Sequence, residues 1–209
     1  MDLIIVGAGG LGREVYSWLS QEIKEKKNKI KGFIDDNPHS LDEYDYPVKV
    51  IGTIADYRPN PKEKLVLSIL DPKVKKNLVV SLSKKGAEFY TLIHPSVIFG
   101  FNIKIGEGCV ICPNCILTND IKIGDFVFIN TSSTIGHDAV IGDFTSINGK
   151  VEITGKITVG SGCLFGVGAK VIPGRKISDN VVVGAGSVVI RNVEPDVTIF
   201  GNPAKKVRY

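Results

Sequence analysis

From Ile93 onward, large apolar residues return at every sixth position. The series runs Ile93, Phe99, Ile105, Ile111, Leu117, Ile123, Ile129, Ile135, Ile141, Ile147, Ile153, Val159, Phe165, Val171, Ile177, Val183 and Val189, without a lapse. Four positions after each of them stands a small or β-branched residue in most units, from Val97, Ile103 and Cys109 to Val181 and Ser187, with Arg175 as the exception. The position directly after the apolar residue is often glycine, at Gly100, Gly106, Gly124, Gly136, Gly142, Gly160, Gly166 and Gly184, which suits a chain that turns sharply at regular intervals. A six-residue unit with two inward positions fits one short strand and one turn, so three units close one coil. The pattern predicts a parallel β-helix of the hexapeptide type, with a buried column such as Ile105, Ile123, Ile141, Val159 and Ile177 running through stacked coils. Burying each such side chain contributes about 1.5–3 kcal/mol, which explains how few lapses the pattern tolerates. The register spans between five and six coils, and the tail from Asn192 to Tyr209, which leaves the period, is expected to cap the open end.

Before Ile93 the six-step spacing is absent, which places a boundary near residue 90 and predicts two domains, 1–90 and 91–209. Leu3 to Val6 reads as a buried strand, followed by a glycine-rich turn and an amphipathic stretch from Arg13 to Lys27 of helical character. Lys31 to Ile34 and Leu65 to Leu70 read as further strands, Pro72 to Lys85 as a helix, and Glu88 to Leu92 as a short closing strand. Together these predict a small doubly wound α/β, Rossmann-like domain. Gly7, Gly9 and Gly12 match G-x-G-x-x-G between strand and helix, with the acidic pair Asp35 and Asp36 further on. Backbone N–H groups at such a helix start can hold a diphosphate; the same spacing also serves a tight turn without ligand. The domain is short for a full dinucleotide fold, so a single nucleotide diphosphate fits it better than a redox cofactor.

Composition narrows the function classes. Hydrophobic residues make up 43% and charged residues 23%, and no apolar run approaches the roughly 20 residues that span a bilayer, so a soluble protein of the cytoplasm is expected. The net charge of +4 comes without a basic stripe interleaved with aromatics, which argues against nucleic acid and for a small anionic ligand. Cys109, Cys112 and Cys115 have the look of a metal run, but Cys109, Cys115 and Cys163 all fall on the small inward position of the repeat. They read as buried, reduced thiols acting as small hydrophobes, and no metal site is expected.

Of the histidines, His39 and His94 sit in contexts that read as structural or surface. His137 lies two residues after the inward Ile135, where a side chain should point outward, and Asp138 follows it. A solvated turn histidine and a base are both open on spacing alone. Histidine, with an ordinary pKa of about 6.5, can be neutral near pH 7 and accept a proton, and a neighbouring carboxylate can fix its tautomer.

The segment Asn130-Thr131-Ser132-Ser133-Thr134-Ile135-Gly136-His137-Asp138, the repeats, the glycine-rich start and the closing Gly201-Asn202-Pro203-Ala204-Lys205 together resemble the hexapeptide-repeat acetyltransferases that modify nucleotide-linked amino sugars, a branch that includes sialic acid O-acetyltransferases. The resemblance covers essentially the whole chain. It implies a left-handed coil, a homotrimer, acetyl-CoA bound between neighbouring solenoids, and a nucleotide sugar on the N-terminal domain, the reaction being N-acetylation of a UDP- or dTDP-4-amino-4,6-dideoxyhexose for surface glycan synthesis. By the same resemblance His137 is the base, Asp138 orients it, and Asn130 lines the site. Gly155 presents its N–H near the thioester oxygen, while Gly166, Val167, Gly184 and Ala185 line the pantetheine channel and Lys205 meets CoA phosphates. Gly7, Gly9, Gly10, Asp35 and Asp36 hold the nucleotide. One departure is Ser146, where relatives often carry a second histidine. The competing readings are O-acetylation of a sialic acid, a γ-type carbonic anhydrase, which needs three histidine ligands, and a ligand-sensing scaffold.

Overall fold

The computed structural model describes residues 1–24 and 28–207. Its N-terminal part is a three-stranded parallel sheet in the order β2-β1-β3, with β1 (Asp2–Val6) central, β2 (Lys29–Ile34) and β3 (Glu63–Leu67). Leu3 to Val6 are fully buried, as expected of a strand covered on both sides. Helix α1 spans Gly10–Glu22 and α2 spans Pro72–Ser83. The sequence places α1 at Arg13 to Lys27; its start is three residues earlier because the glycine loop itself turns into helix, and Glu25 to Lys27 lie outside the described residues. Helix α2 begins where the sequence puts it. Asp71 caps it by accepting from the Val74 N–H at 2.8 Å, and Pro72 at the first helical position needs no N–H partner there. The expected strand over Glu88 to Leu92 is reduced to one bridge between Phe89 and Leu65, and Leu92 already pairs within the solenoid.

From Leu92–Ile93 to Val188–Val189, two-residue strands follow one another every six residues and build three parallel sheets. Strand partners are eighteen residues apart, so the column Ile105, Ile123, Ile141, Val159, Ile177 is in register. The side chains of Ile123 to Ile177 in it are buried, together with Cys109, Cys115 and Cys163 in one core. Burial pushes those three thiols up to about 11, as inert core thiols require. Phe99 departs from the pattern: 43% exposed, it belongs to the first coil, which has no coil beneath it. The tail also differs from the expected plain cap. Val193 bridges Ile177, and Thr198–Gly201 pairs with Val182–Val183 at a spacing of sixteen, so the chain adds a shortened coil before Ala204–Lys206 folds back antiparallel. Arg208 and Tyr209 lie outside the described residues.

Glycines after the apolar position do not make the turn. A Cβ on Gly136 would come within 2.5 Å of the Thr154 carbonyl carbon in the next coil, and one on Gly142 within 2.5 Å of that of Gly160. They permit close stacking. The reversal itself falls two residues later, where Asn102, Asn114, Asp120, Phe126, Ser132, Asp138 and Phe144 all adopt φ between 56° and 60°.

The three faces of the solenoid are not equivalent. On the first, the outward residues Leu92, Val110, Phe128 and Ser146 are buried, the first three in a core shared with Leu3, Ile5, Val15 and Leu19 of the α/β part. Phe89 also packs edge-on against Phe126, which stacks on Phe144. The second face carries Ile98, Ile116, Thr134, Glu152, Lys170 and Val188 outward, and the third carries Lys104, Lys122, Val140, Thr158 and Lys176. The corner between the second and third faces therefore lies opposite the face on which the chain's own N-terminal part rests. Among the described residues, no helix is long and apolar enough to cross a membrane.

Candidate active site

That free corner carries His137. Its Nδ1 lies 2.7 Å from Asp138 Oδ2, and both side chains are about half exposed, at 58% and 51%. The carboxylate can only accept, so in the neutral ring Nδ1 bears the proton and Nε2 keeps its lone pair. The backbone holds the pair from both sides: the Asp138 N–H donates to Asn119 O in the coil before, and the His137 carbonyl accepts from the Lys156 N–H in the coil after. Asp138 occupies the left-handed turn position with φ 59°, which turns its carboxylate back toward the preceding imidazole. Short polar residues tolerate that conformation best.

Gly155 stands one coil further on, in the same column. A Cβ there would fall 2.5 Å from His137 Nε2 and 2.7 Å from Cε1, so only glycine lets the ring lie against the next coil. At four other places in the solenoid the N–H at this turn position is taken by an acidic or amide side chain of the following coil: Phe101 N–H by Asn119, Glu107 by Asp125, Asp125 by Asp143 and Ser161 by Asp179, all at 2.8–2.9 Å. Pro173, which follows Gly155 in the column, has no such group. The ladder stops at the imidazole, leaving the Gly155 N–H beside it to serve another acceptor.

Other expected site residues are spread more widely. Asn130 sits at the other edge of the second face, separated from His137 by the strand Thr134–Ile135, and its Oδ1 accepts from the Thr131 N–H at 2.7 Å. Gly166, Val167, Gly184 and Ala185 lie at that same first-to-second corner in later coils, with Val167 exposed. Lys205 is exposed on the terminal strand pair, whose two strands are joined through a cis Asn202–Pro203 bond. One chain therefore does not gather these groups around His137.

The nucleotide-binding expectation divides in the same way. Gly9 and Gly10 are exposed at the start of α1, which has no side-chain cap, and a Cβ on Gly9 would meet nothing within 4 Å. The space above the first helical turn is open to an anion. Gly7 has φ 98°, and a Cβ on Gly12 would run into its carbonyl, so these two glycines serve the turn and the helix packing. Asp35 is already engaged: Oδ2 accepts from the Ala8 N–H at 2.7 Å and Oδ1 from Asn37 N–H at 2.8 Å, which ties the glycine loop to the end of β2. Asp36 Oδ1 accepts from Ile54 N–H at 3.0 Å.

Two residues escaped the sequence reading. Arg13 in α1 places its guanidinium 3.6 Å from the Tyr44 ring centroid, beside the glycine loop, and its Nε is buried without a protein partner. Only its place in the first turn after the glycines could have signalled it. Lys75 in α2 is 1% exposed and donates to Ser146 Oγ at 2.9 Å and Thr145 O at 3.4 Å. The position without a second imidazole thus holds a hydroxyl that anchors α2 to the solenoid. His94 is buried, between Ser96 and Gln21, and burial lowers its pKa; His39 is exposed and paired with Asp42. Among the described residues no group of three or more His, Cys, Asp or Glu side chains is placed to hold a metal ion.

Residues 2–82 match the family described as the PglD N-terminal domain. WeeI from Acinetobacter baumannii superposes with a TM-score of 0.87 at 28% identity, covering 99% of this chain and all of the other. A variant of perosamine N-acetyltransferase from Caulobacter crescentus, solved with CoA and GDP-perosamine, gives a TM-score of 0.86 at 26% identity, covering 100% and 98%. Over its whole length the chain has the build of the hexapeptide-repeat acetyltransferases. Its architecture is a small α/β domain followed by a left-handed parallel β-helix, and the perosamine N-acetyltransferase that it resembles holds CoA in its crystal structure. Among curated sequences, a Saccharomyces cerevisiae protein named an acetyltransferase is 41% identical over 58 residues, 28% of this chain and 30% of the yeast protein. The chain thus spans less than a third of the length of that curated relative.

Proposed function

We propose that this acetyltransferase moves an acetyl group from acetyl-CoA to the amine of a nucleotide-linked amino sugar, a UDP- or dTDP-4-amino-4,6-dideoxyhexose, in cytoplasmic synthesis of surface glycans. The observation that carries the reading is the imidazole of His137, oriented by Asp138, with Nε2 open and laid against the Gly155 backbone. The sugar amine attacks the thioester carbon, and Nε2 takes the proton that the nitrogen loses. The Gly155 N–H stabilises the oxyanion as the carbonyl π bond opens. When the C–S bond breaks, the CoA sulfur takes the proton back from the imidazolium, and no acyl-enzyme forms.

The division of labour follows the chain. Residues 1–90 bind the nucleotide, with Gly9 and Gly10 presenting backbone to the diphosphate, Gly7 setting the turn that exposes them, and Asp35 and Asp36 shaping the base pocket, while 91–209 perform the transfer. The N-terminal part rests on the first face and His137 projects from the opposite corner, so acceptor and base come from different copies. This arrangement suits a homotrimer in which acetyl-CoA runs between solenoids along Gly166, Val167, Gly184 and Ala185, with Lys205 at its phosphates and Asn130 lining the far wall. The test is release of CoA thiol with such a nucleotide sugar as acceptor. Wild-type protein is expected to turn over and His137→Ala to lose at least about 100-fold in kcat; undiminished turnover in that variant sinks the mechanism.

A further inference from the structure

Below the His137–Asp138 pair, on the side of the earlier coils, a cleft of about 430 Å³ is lined by Asn102, Lys104, Asp120, Lys122, Asp138 and Val140. Its two lysines are direct partners across neighbouring parallel strands. Stacked strands stand about 4.8 Å apart, so two ammonium groups are held side by side on long stems that can converge on one anion. Like charges in direct register oppose folding. Elsewhere the solenoid neutralises an in-register lysine: Lys170 faces Glu152 and pairs with it at 2.6 Å. Lys104 and Lys122 have no such relief, for neither is within ion-pair distance of a carboxylate among the described residues. The acids in the cleft are turned elsewhere, Asp120 to the Asn102 amide at 2.7 Å and Asp138 to His137.

Resting on the acetyl-transfer reading above, we propose that Lys104 and Lys122 form a subsite for the diphosphate of the acceptor, holding the nucleotide end while the sugar amine lies at His137. Phosphate oxygens supply the negative charge that the pair lacks, and a diphosphate has the two anionic centres to meet two adjacent ammonium groups. Acetyl-CoA carries a diphosphate as well, but its proposed channel follows the later coils, beyond Gly155. The earlier coils are left to the acceptor. The glycine loop that grips the same nucleotide lies on the other side of its own chain, so the lysines serve an acceptor carried by a neighbouring copy.

Steady-state kinetics of Lys104→Gln/Lys122→Gln decides the assignment. The acceptor KM is expected to rise by about tenfold or more while kcat falls far less and the acetyl-CoA KM holds, and Lys104→Arg/Lys122→Arg should recover most of the loss. A rise confined to the acetyl-CoA KM, or no change in either constant, overturns the proposal. A parallel thermal-shift titration with inorganic pyrophosphate reads the pair without turnover: it should stabilise the wild type more than the double glutamine variant, and equal stabilisation overturns the subsite. Should the wild type acetylate no nucleotide amino sugar, the reaction itself fails, and the pyrophosphate titration still judges the lysines.

Discussion

At the scale of single residues, the site depends on what a column of turns leaves out. His137 interrupts a ladder of side chains that elsewhere cap backbone N–H groups, and Gly155 gives the ring room against the next coil. Gly155→Ala puts a methyl group 2.5 Å from Nε2 and moves the imidazole by about an ångström, which is expected to cost about 100-fold in kcat/KM while leaving the fold intact. Unchanged circular dichroism with a large loss of turnover is the expected pair of readings; an active Gly155→Ala variant contradicts this placement of the ring. Asp138→Asn keeps the hydrogen bond but can offer its NH2 to Nδ1, which shifts the imidazole proton to Nε2 and removes the base, so kcat falls by about 100-fold or more. Outward exposure of His137 was legible, because it sits two positions past a buried isoleucine. The left-handed turn at Asp138 was not, because the glycines that follow eight of the seventeen apolar residues carry the more obvious turn signal, yet those of this corner answer to contact between coils.

Among the elements, α2 shows how far pattern reading reaches. Its start at Pro72 was read correctly from the sequence, yet Lys75 was lost between the lysines on either side of it. The signal was its spacing, since Lys75, Val79 and Leu82 form the buried stripe. Burial lowers the pKa of Lys75 to about 7, against the opposing pull of nearby Cys109 and Asp71. In the unfolded chain a lysine titrates near 10.4, so between about 7 and 10 the unfolded state binds more protons and stability rises with pH. Below about 7 the folded protein carries the buried ammonium and the full penalty applies. Lys75→Met with Ser146→Ala removes both partners of the contact and avoids a stranded hydroxyl. It is expected to raise the unfolding midpoint at pH 6–8 and to flatten the stability curve between about pH 7 and 10. Parallel curves for variant and wild type would show that Lys75 titrates as it does in water.

Over the whole molecule, the six-step pattern foretold most of the architecture because each coil buries the same two positions. It failed at both ends, where one neighbour is missing: Phe99 is exposed on the first coil, and the tail makes a short extra coil that no sixfold count would find. A mid-stack truncation such as Ile141→Ala should cost about 2–5 kcal/mol, read from denaturant midpoints, since coils on both sides pack against that side chain. The separation of the expected site residues was beyond the sixfold pattern, because it does not say on which face the N-terminal part rests, and the glycine loop and the imidazole lie on opposite sides of one chain; the proposed homotrimer is the arrangement that would join them. The account stands or falls on the product. Incubation with acetyl-CoA and UDP- or dTDP-4-amino-4,6-dideoxyhexoses, followed by mass spectrometry before and after hydroxylamine, is predicted to give an acetylated nucleotide sugar whose acetyl group survives as an amide. An ester that hydroxylamine removes, or no acetylated nucleotide sugar from active, folded protein, would contradict it.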